Sequence, residues 1–349
     1  MRIGLIAPPW IPVPPPLYGG TEAVVDNLAR GLLEAGHDVR LFTVEESTCP
    51  VPRLHRYPTA VSPIGDTALE LAHALSAYEA LSDLDVIHDH TLAGPLLAHH
   101  RRRTPTLVVT HHGPFSADMR TIFAAAARQA AVVAISHAHA RSAQPVPISA
   151  VIHHGIDTDV YRAGPGGGGF ALFMGRMSPD KGPDRAVRVA HRAGVRLMIV
   201  TKIREGPEQE YFDRTVAPLL DPEDDLLVEP DAAVRVDLMG RAEALLNPID
   251  WPEPFGLVMA EALSCGTPVL AFPRGAAPEI VEDGRTGFLC EGEDDMVDAL
   301  RRASSLDRAD CRSAAELRFS RRRMVADHEL LYRRLASAGG SGTRTAAPV

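Results

Sequence analysis

Strand-like and helix-like stretches alternate through the 349 residues of this chain, and they do so twice, on either side of Ala163-Gly164-Pro165-Gly166-Gly167-Gly168-Gly169. That alternation is the pattern of parallel sheets covered by helices. In the first run, Ile3 to Ala7 reads as a buried strand. A Pro-rich loop follows, then a helix from about Thr21 to Ala35 with Val24, Val25, Leu28, Leu32 and Leu33 on one face and Gly36 closing it. Asp38 to Val44, Val86 to His88, Thr106 to Thr110, Val132 to Ile135 and Ala150 to His153 are further strands. In the second run, Phe170 to Met174 leads to a helix over Pro183 to Ala193. Pro183 suits its first position and Gly194 its exit. Arg196 to Thr201, Ala244 to Leu246, Pro268 to Ala271 and Gly287 to Leu289 are strands, and Arg318 to Ala336 is a long Arg-rich helix. The expected fold is α/β, with two similar halves joined by a Gly-rich hinge and a cleft between them. The expected domains are residues 1–163 and 170–317. Residues 164–169 form a linker, and 337–349 a disordered tail.

A net charge of −9 argues against a general nucleic-acid binder, and 45% hydrophobic with 23% charged residues fits a globular protein. No apolar run has the length of a membrane span, and the first residues carry no signal-peptide pattern, so a cytoplasmic protein is expected, with peripheral membrane contact open. Cys49, Cys265, Cys290 and Cys311 lack metal-ligand or disulfide-scaffold spacing and read as free thiols. Lys181 and Lys202 are the only lysines among the 36 Lys and Arg residues, which draws attention to both.

Four constellations carry chemistry. In Tyr18-Gly19-Gly20-Thr21-Glu22, paired glycines before a helix let a ligand approach backbone amides that favour phosphate. The loop lacks the Gly-x-Gly-x-x-Gly pattern, which counts against a nicotinamide cofactor. In Gly175-Arg176-Met177-Ser178-Pro179-Asp180-Lys181-Gly182, Arg176 and Lys181 stand at a helix start, where two cations suit a departing diphosphate. His88-Asp89-His90, His111-His112 and His153-His154 each follow a strand. Adjacent residues on a strand face opposite ways, so the doublets are poor metal ligands and no metal is expected. One of these histidines is expected to bond a substrate. Finally, Glu253 and Glu261 bracket Pro254 to Ala260. Pro254 and Gly256 place Glu253 in a loop, and Leu257 to Leu263 places Glu261 in the second turn of a helix. Amides of Phe255, Gly256 and Leu257 lie between them. Glu261, on an otherwise apolar helix, needs a partner, and ribose hydroxyls would serve.

Taken in order, Gly19-Gly20, His154-Gly155-Ile156-Asp157, Gly175-Arg176 with Lys181-Gly182, Glu253 with Glu261 and Ser264-Cys265-Gly266-Thr267-Pro268-Val269, then Pro278-Glu279-Ile280, resemble the retaining glycosyltransferases of the GT-B fold, family four (glycosyl transferases group 1). The resemblance extends over almost the whole chain. It implies two Rossmann-like domains facing an interdomain cleft, with a last helix, 318–336, that crosses back to the N-terminal domain. It also implies sugar transfer from a nucleotide-sugar donor, UDP- or GDP-linked, to an acceptor hydroxyl with retained configuration. No cofactor or metal is implied, and the acceptor stays open among small molecules, lipids and glycans. By position, Arg176 and Lys181 would hold the diphosphate, Gly19 and Gly20 would offer backbone to the phosphates, and Glu261 would bind the ribose. Glu253, with Phe255, Gly256 and Leu257, would contact the donor sugar, and His111 would contact it from the opposite wall. The chain departs from the family at Thr201 to Gly206, where a Gly-rich turn is common, and at His153-His154. A nucleotide-sugar epimerase or a non-catalytic nucleotide-sugar binder on the same fold are the alternatives.

Overall fold

The computed structural model describes residues 1–17, 19–92, 94, 96 and 106–340. Tyr18 and the end of the tail, 341–349, lie outside the described residues. The chain divides into two compact units. One holds Met1–Ile135, Ala140–Gly155 and the chain from Arg321 onward, and the other holds Ser136–His139 and Ile156–Ser320.

The N-terminal unit is built on strands β1 (Arg2–Ile6), β2 (Asp38–Thr43), β3 (Arg53–His55), β4 (Val86–Asp89), β5 (Thr106–Thr110), β6 (Ala131–Ala134) and β7 (Ile148–Val151). Their spatial order is β3-β2-β1-β4-β5-β6-β7, and every pairing is parallel. Covered by helices, the central strand β1 has Ile3, Leu5 and Ile6 fully buried, while its neighbour β4 buries His88 and Asp89 as well as Val86 and Ile87. The helix Arg321–Gly340 belongs to this unit: its Val325 packs where a Cβ on Gly31 would stand, and its Tyr332 hydroxyl meets His88 Nδ1 at 2.7 Å.

The C-terminal unit carries β8 (Phe170–Arg176), β9 (Arg196–Lys202), β10 (Asp225–Val228), β11 (Ala244–Asn247), β12 (Val269–Ala271) and β13 (Gly287–Leu289). The order is β10-β9-β8-β11-β12-β13, again parallel throughout. The chain therefore winds outward from β8 in one direction and from β11 in the other. The helix Pro183–Ala193 buries Ala186, Val187, Val189 and Ala190 against this sheet, and Gly194 ends it in the left-handed conformation at φ 72°.

Three expectations change. The Gly-rich stretch is not a free linker. Gly164, Gly166 and Gly168 donate their amides to the carbonyls of Cys265, Gly240 and Arg241 at 2.9 Å each, so the segment is a strap on the C-terminal unit. Glycine is needed there for close approach: a Cβ on Gly164 would lie 2.4 Å from Gly240 Cα. The division of the chain falls instead at Gly155/Ile156 and at Ser320/Arg321. The last helix is also two, Arg308–Phe319 and Arg321–Gly340. Ser320 between them is extended (φ −69°, ψ 149°) and bridges to Ile156, whose amide donates to the Phe319 carbonyl at 2.8 Å. The second of these helices runs on to Gly340, so the expected disorder does not begin at 337.

Candidate functional site

β8 and β11 are neighbours from which the chain departs in opposite directions, and in an open parallel sheet ligands bind beyond the carboxyl ends of such a pair. Two loops stand there. The first, 177–182, joins β8 to the helix Pro183–Ala193. The second, 248–256, joins β11 to the helix Leu257–Ser264. Left-handed glycines start both helices, Gly182 at φ 73° and Gly256 at φ 91°. Neither helix has a side-chain hydrogen bond at its N-terminus, the end where backbone amides face a ligand or solvent.

The loops are tied to each other. The Asp250 amide donates to the Asp180 carbonyl at 3.1 Å, and Arg185 Nε donates to the Pro248 carbonyl at 2.8 Å. Across this seam Lys181 Nζ donates to Glu253 Oε1, with the two side chains only 11% and 15% exposed. The same ammonium lies 5.2 Å from the Trp251 ring centroid, within range of a cation–π contact. Arg176 is at the end of β8, more exposed, and its Nη2 donates to Asp180 Oδ2 at 3.3 Å. Three buried polar atoms on these loops have no hydrogen-bond partner among the described residues: Ser178 Oγ, Trp251 Nε1 and Glu253 Oε2. Leaving such groups unsatisfied costs about 1–3 kcal/mol each, so three of them on two joined loops point to a polar ligand that completes them.

Gly275 lets the chain close over Glu253. Its φ is +54°, and a Cβ there would come within 2.2 Å of the Glu253 carbonyl oxygen, while the neighbouring Ala276 amide donates to that oxygen at 3.0 Å. Gly275→Ala is expected to displace the Glu253 backbone and lower the melting temperature by roughly 5 °C or more. Calorimetry checks this; an unchanged melting temperature would contradict the packing described.

Glu261 lies in the second turn of the helix Leu257–Ser264, and its Oε1 accepts the Tyr161 hydroxyl at 2.9 Å. Burial raises its carboxyl above the ordinary range, while Tyr161 and Arg235 pull it back. Phe255, nearly fully buried, meets the Phe319 ring edge-on at 5.9 Å and anchors the second loop.

Gly19, Gly20 and His111 belong to the N-terminal unit. A Cβ on Gly19 would lie 2.8 Å from Pro15 Cβ and 2.9 Å from Glu22 Oε2, so the glycine there serves close packing before the helix Gly20–Glu34. His111 turns into the core of its unit. Its ring stands 4.9 Å from Phe115 and 4.7 Å from Phe123, its Nε2 meets the Pro114 carbonyl at 3.2 Å, and burial lowers it to about 4. His112, facing the other way, is the one that meets other histidines: its Nε2 lies 2.8 Å from His90 Nδ1 and its Nδ1 3.3 Å from His154 Nε2. Among the described residues, no group of three His, Cys, Asp or Glu has a metal-holding arrangement. Ser178 and Trp251 escaped the sequence reading. Trp251 had a signal in being one of only two tryptophans, whereas Ser178 had none.

Two family models match. Residues 18–160 match the one described as Glycosyltransferase Family 4, and residues 163–318 the one described as Glycosyl transferases group 1. A D-inositol 3-phosphate glycosyltransferase of Mycobacteroides abscessus is 33% identical over 205 residues, 51% of this chain and 45% of the relative. One from Mycolicibacterium smegmatis is 30% identical over 197 residues, 48% and 43% of the two chains. The chain thus spans less than half the length of these relatives. Among solved structures, AviGT4, a glycosyltransferase involved in avilamycin A biosynthesis, superposes with a TM-score of 0.72 at 27% identity, covering 97% of this chain and 98% of that one. Anabaena HepE, in complex with UDP and glucose, has a TM-score of 0.77 at 20% identity over 96% and 100% of the chains. Two Rossmann-like parallel-sheet units are the architecture of these GT-B structures.

Proposed function

The chain belongs to the glycosyltransferases of family four, group 1, and from that premise we propose that it transfers a sugar from a nucleoside-diphosphate-sugar to an acceptor hydroxyl with retention of configuration. The observation that carries the proposal is the seam between the two loops of the C-terminal unit. There a buried Lys181–Glu253 pair joins two loops that also carry Ser178 Oγ, Trp251 Nε1 and Glu253 Oε2, all three lacking partners among the described residues. A donor has the groups that such a seam lacks. Its diphosphate supplies acceptors for Lys181, Arg176 and the amides that open the helix Leu257–Ser264, and its sugar hydroxyls supply donors for Glu253 Oε2.

In this reading the acceptor oxygen attacks the anomeric carbon on the face from which the phosphate leaves. The bond from that carbon to the β-phosphate oxygen breaks, the bond to the acceptor oxygen forms, and the acceptor proton passes to the departing phosphate. No side chain needs to act as nucleophile or general base. The protein's task is to hold the charge that grows on the leaving group and to position the partners. Arg176 and Lys181 do the first. Glu261 takes the ribose hydroxyls. The proposal rests on the C-terminal unit alone, and the packing of His111 among phenylalanines lends its sugar-contact role no support.

The test is a panel of UDP-, GDP- and ADP-sugars offered with small-molecule, lipid and glycan acceptors. D-inositol 3-phosphate belongs in the panel because relatives carry it in their names. One donor is expected to give nucleoside diphosphate and a glycoside of the donor's own anomeric configuration, with turnover persisting in a chelator. An inverted product would contradict retention. Isomerised donor without acceptor would point to an epimerase, and tight binding without turnover to a non-catalytic binder.

A further inference from the structure

Tyr161, which supplies the hydroxyl to Glu261, comes from 100 residues earlier in the chain, and the segment carrying it is clamped. The Ser264 hydroxyl donates to the Tyr161 carbonyl at 2.6 Å. Arg312 Nη1 donates to that carbonyl at 2.6 Å and to the Ser264 carbonyl at 2.9 Å, and Arg312 Nη2 donates to the Thr158 carbonyl at 3.0 Å. Its Nε is taken by Glu316 Oε1 at 2.6 Å. One guanidinium thus bolts the stretch 158–161 to the helix that carries Glu261 and to its own helix, Arg308–Phe319. Planar, multiply bonded arginine holds geometry in a way a flexible lysine does not.

A tyrosine fixed so firmly does more than fill space. With Oε1 of Glu261 tied to the phenol, the carboxylate keeps one orientation and its second oxygen one direction. We propose that Tyr161 is a positioning residue for the nucleotide ribose: its hydroxyl, set in place by Arg312 and Ser264, aims the Glu261 carboxylate at the vicinal ribose hydroxyls. This deepens the proposed function and rests on its reading of Glu261. Burial raises the Glu261 carboxyl, and Tyr161 together with Arg235, from the helix Ala232–Arg241, offsets part of that rise. The neighbouring Cys265 thiol is pushed up to about 12 by burial and stays neutral, with Arg308 and Arg312 beyond it. A carboxylate held in one orientation is the acceptor that two adjacent hydroxyls require.

The experiment is calorimetric titration with whichever of UDP, GDP and ADP binds the wild-type protein most tightly, and with its 2′,3′-dideoxy analogue. Wild type is expected to prefer the ribonucleotide by roughly tenfold or more. Tyr161→Phe keeps the ring and should cut that preference to about threefold or less while changing dideoxy affinity less than about twofold. Arg312→Lys keeps the hydroxyl but loosens the clamp and should also lower the preference. A Tyr161→Phe protein with full preference would overturn the positioning role and leave Glu261 as the ribose ligand. Equal loss of both affinities would make Tyr161 a packing residue and overturn it too. If wild type itself binds the two nucleotides equally, the ribose reading of Glu261 fails and takes the inference with it.

Discussion

Replacing Lys181 with Met should lower turnover by about a thousandfold, the size of effect seen when one preorganised donor to a developing anion is removed. The ammonium stands at the helix start next to β8, where the diphosphate would gain charge as the sugar leaves. The substitution has a second effect that must be separated from the first. Lys181 is the partner of a largely buried Glu253, and breaking such a pair costs about 3–5 kcal/mol because one charge is left uncompensated. The double variant Lys181→Met with Glu253→Gln removes that stranded charge. It should recover most of the lost melting temperature, yet turnover should stay at least about a hundredfold down. Recovery of turnover along with stability would mean that the pair serves only to join the two loops.

Acid should unfold the N-terminal unit between about pH 5 and pH 4, driven by its buried histidines. Burial lowers His90 to about 3 and His73, His111 and His328 to about 4, and His88 also well below its ordinary value. The sign follows from linkage. The unfolded chain binds these protons near pH 6.5 and the folded chain does not, so stability is lost as pH falls from about 6.5 toward 4. Three buried carboxyls act the other way. Glu22 is raised to about 7, and Glu70 and Asp89 are raised as well, so each binds its proton more readily in the fold. Five histidines against three carboxyls leave at least two net protons taken up on unfolding, or roughly 3 kcal/mol per pH unit. A domain of ordinary stability would then unfold between about pH 5 and pH 4. Near-ultraviolet circular dichroism against temperature at each pH checks this, and His90→Gln should flatten the slope by about one proton. A melting temperature constant from pH 7 to pH 4 would contradict the account.

Where a segment's structure is decided locally, it was legible. The helix Pro183–Ala193 and strands β5 and β13 have the bounds expected from their residues, because Pro183, Gly194 and the apolar runs announce their own ends. Strand β3, three residues long with two of them exposed, and β10, with none of its residues fully buried, carry no such pattern and went unread. The Gly164–Gly169 stretch was misread because composition alone does not distinguish a flexible linker from backbone pressed against Gly240. The break at Ser320 was missed for a similar reason: it is set by a bridge to Ile156, far away in sequence.

The site divides the same way. Gly256 before a helix, Glu253 in the loop and Glu261 in the second turn follow from local rules, and the structure has them so. What each carboxylate meets does not. Lys181 and Glu253 are 72 residues apart, and Tyr161 and Glu261 100. The sequence demanded a partner for a buried Glu261 without saying that a tyrosine already provides part of it. Strand alternation carried past the end of β5 sets His111 and His112 on different sides, and they meet different partners, His111 two phenylalanines and His112 two histidines. Which of the two faces the phenylalanines depends on Phe115 and Phe123, and so on the fold around them.

The central claim is that the C-terminal unit grips a nucleoside diphosphate, with Lys181 on its terminal phosphate. Titrating the protein with UDP, GDP and ADP and with the corresponding monophosphates tests it most directly. One diphosphate should bind about tenfold or more tightly than its monophosphate, and Lys181→Met should erase the difference. Equal affinity for the two in the wild-type protein, or a difference that survives the loss of Lys181, would contradict the claim.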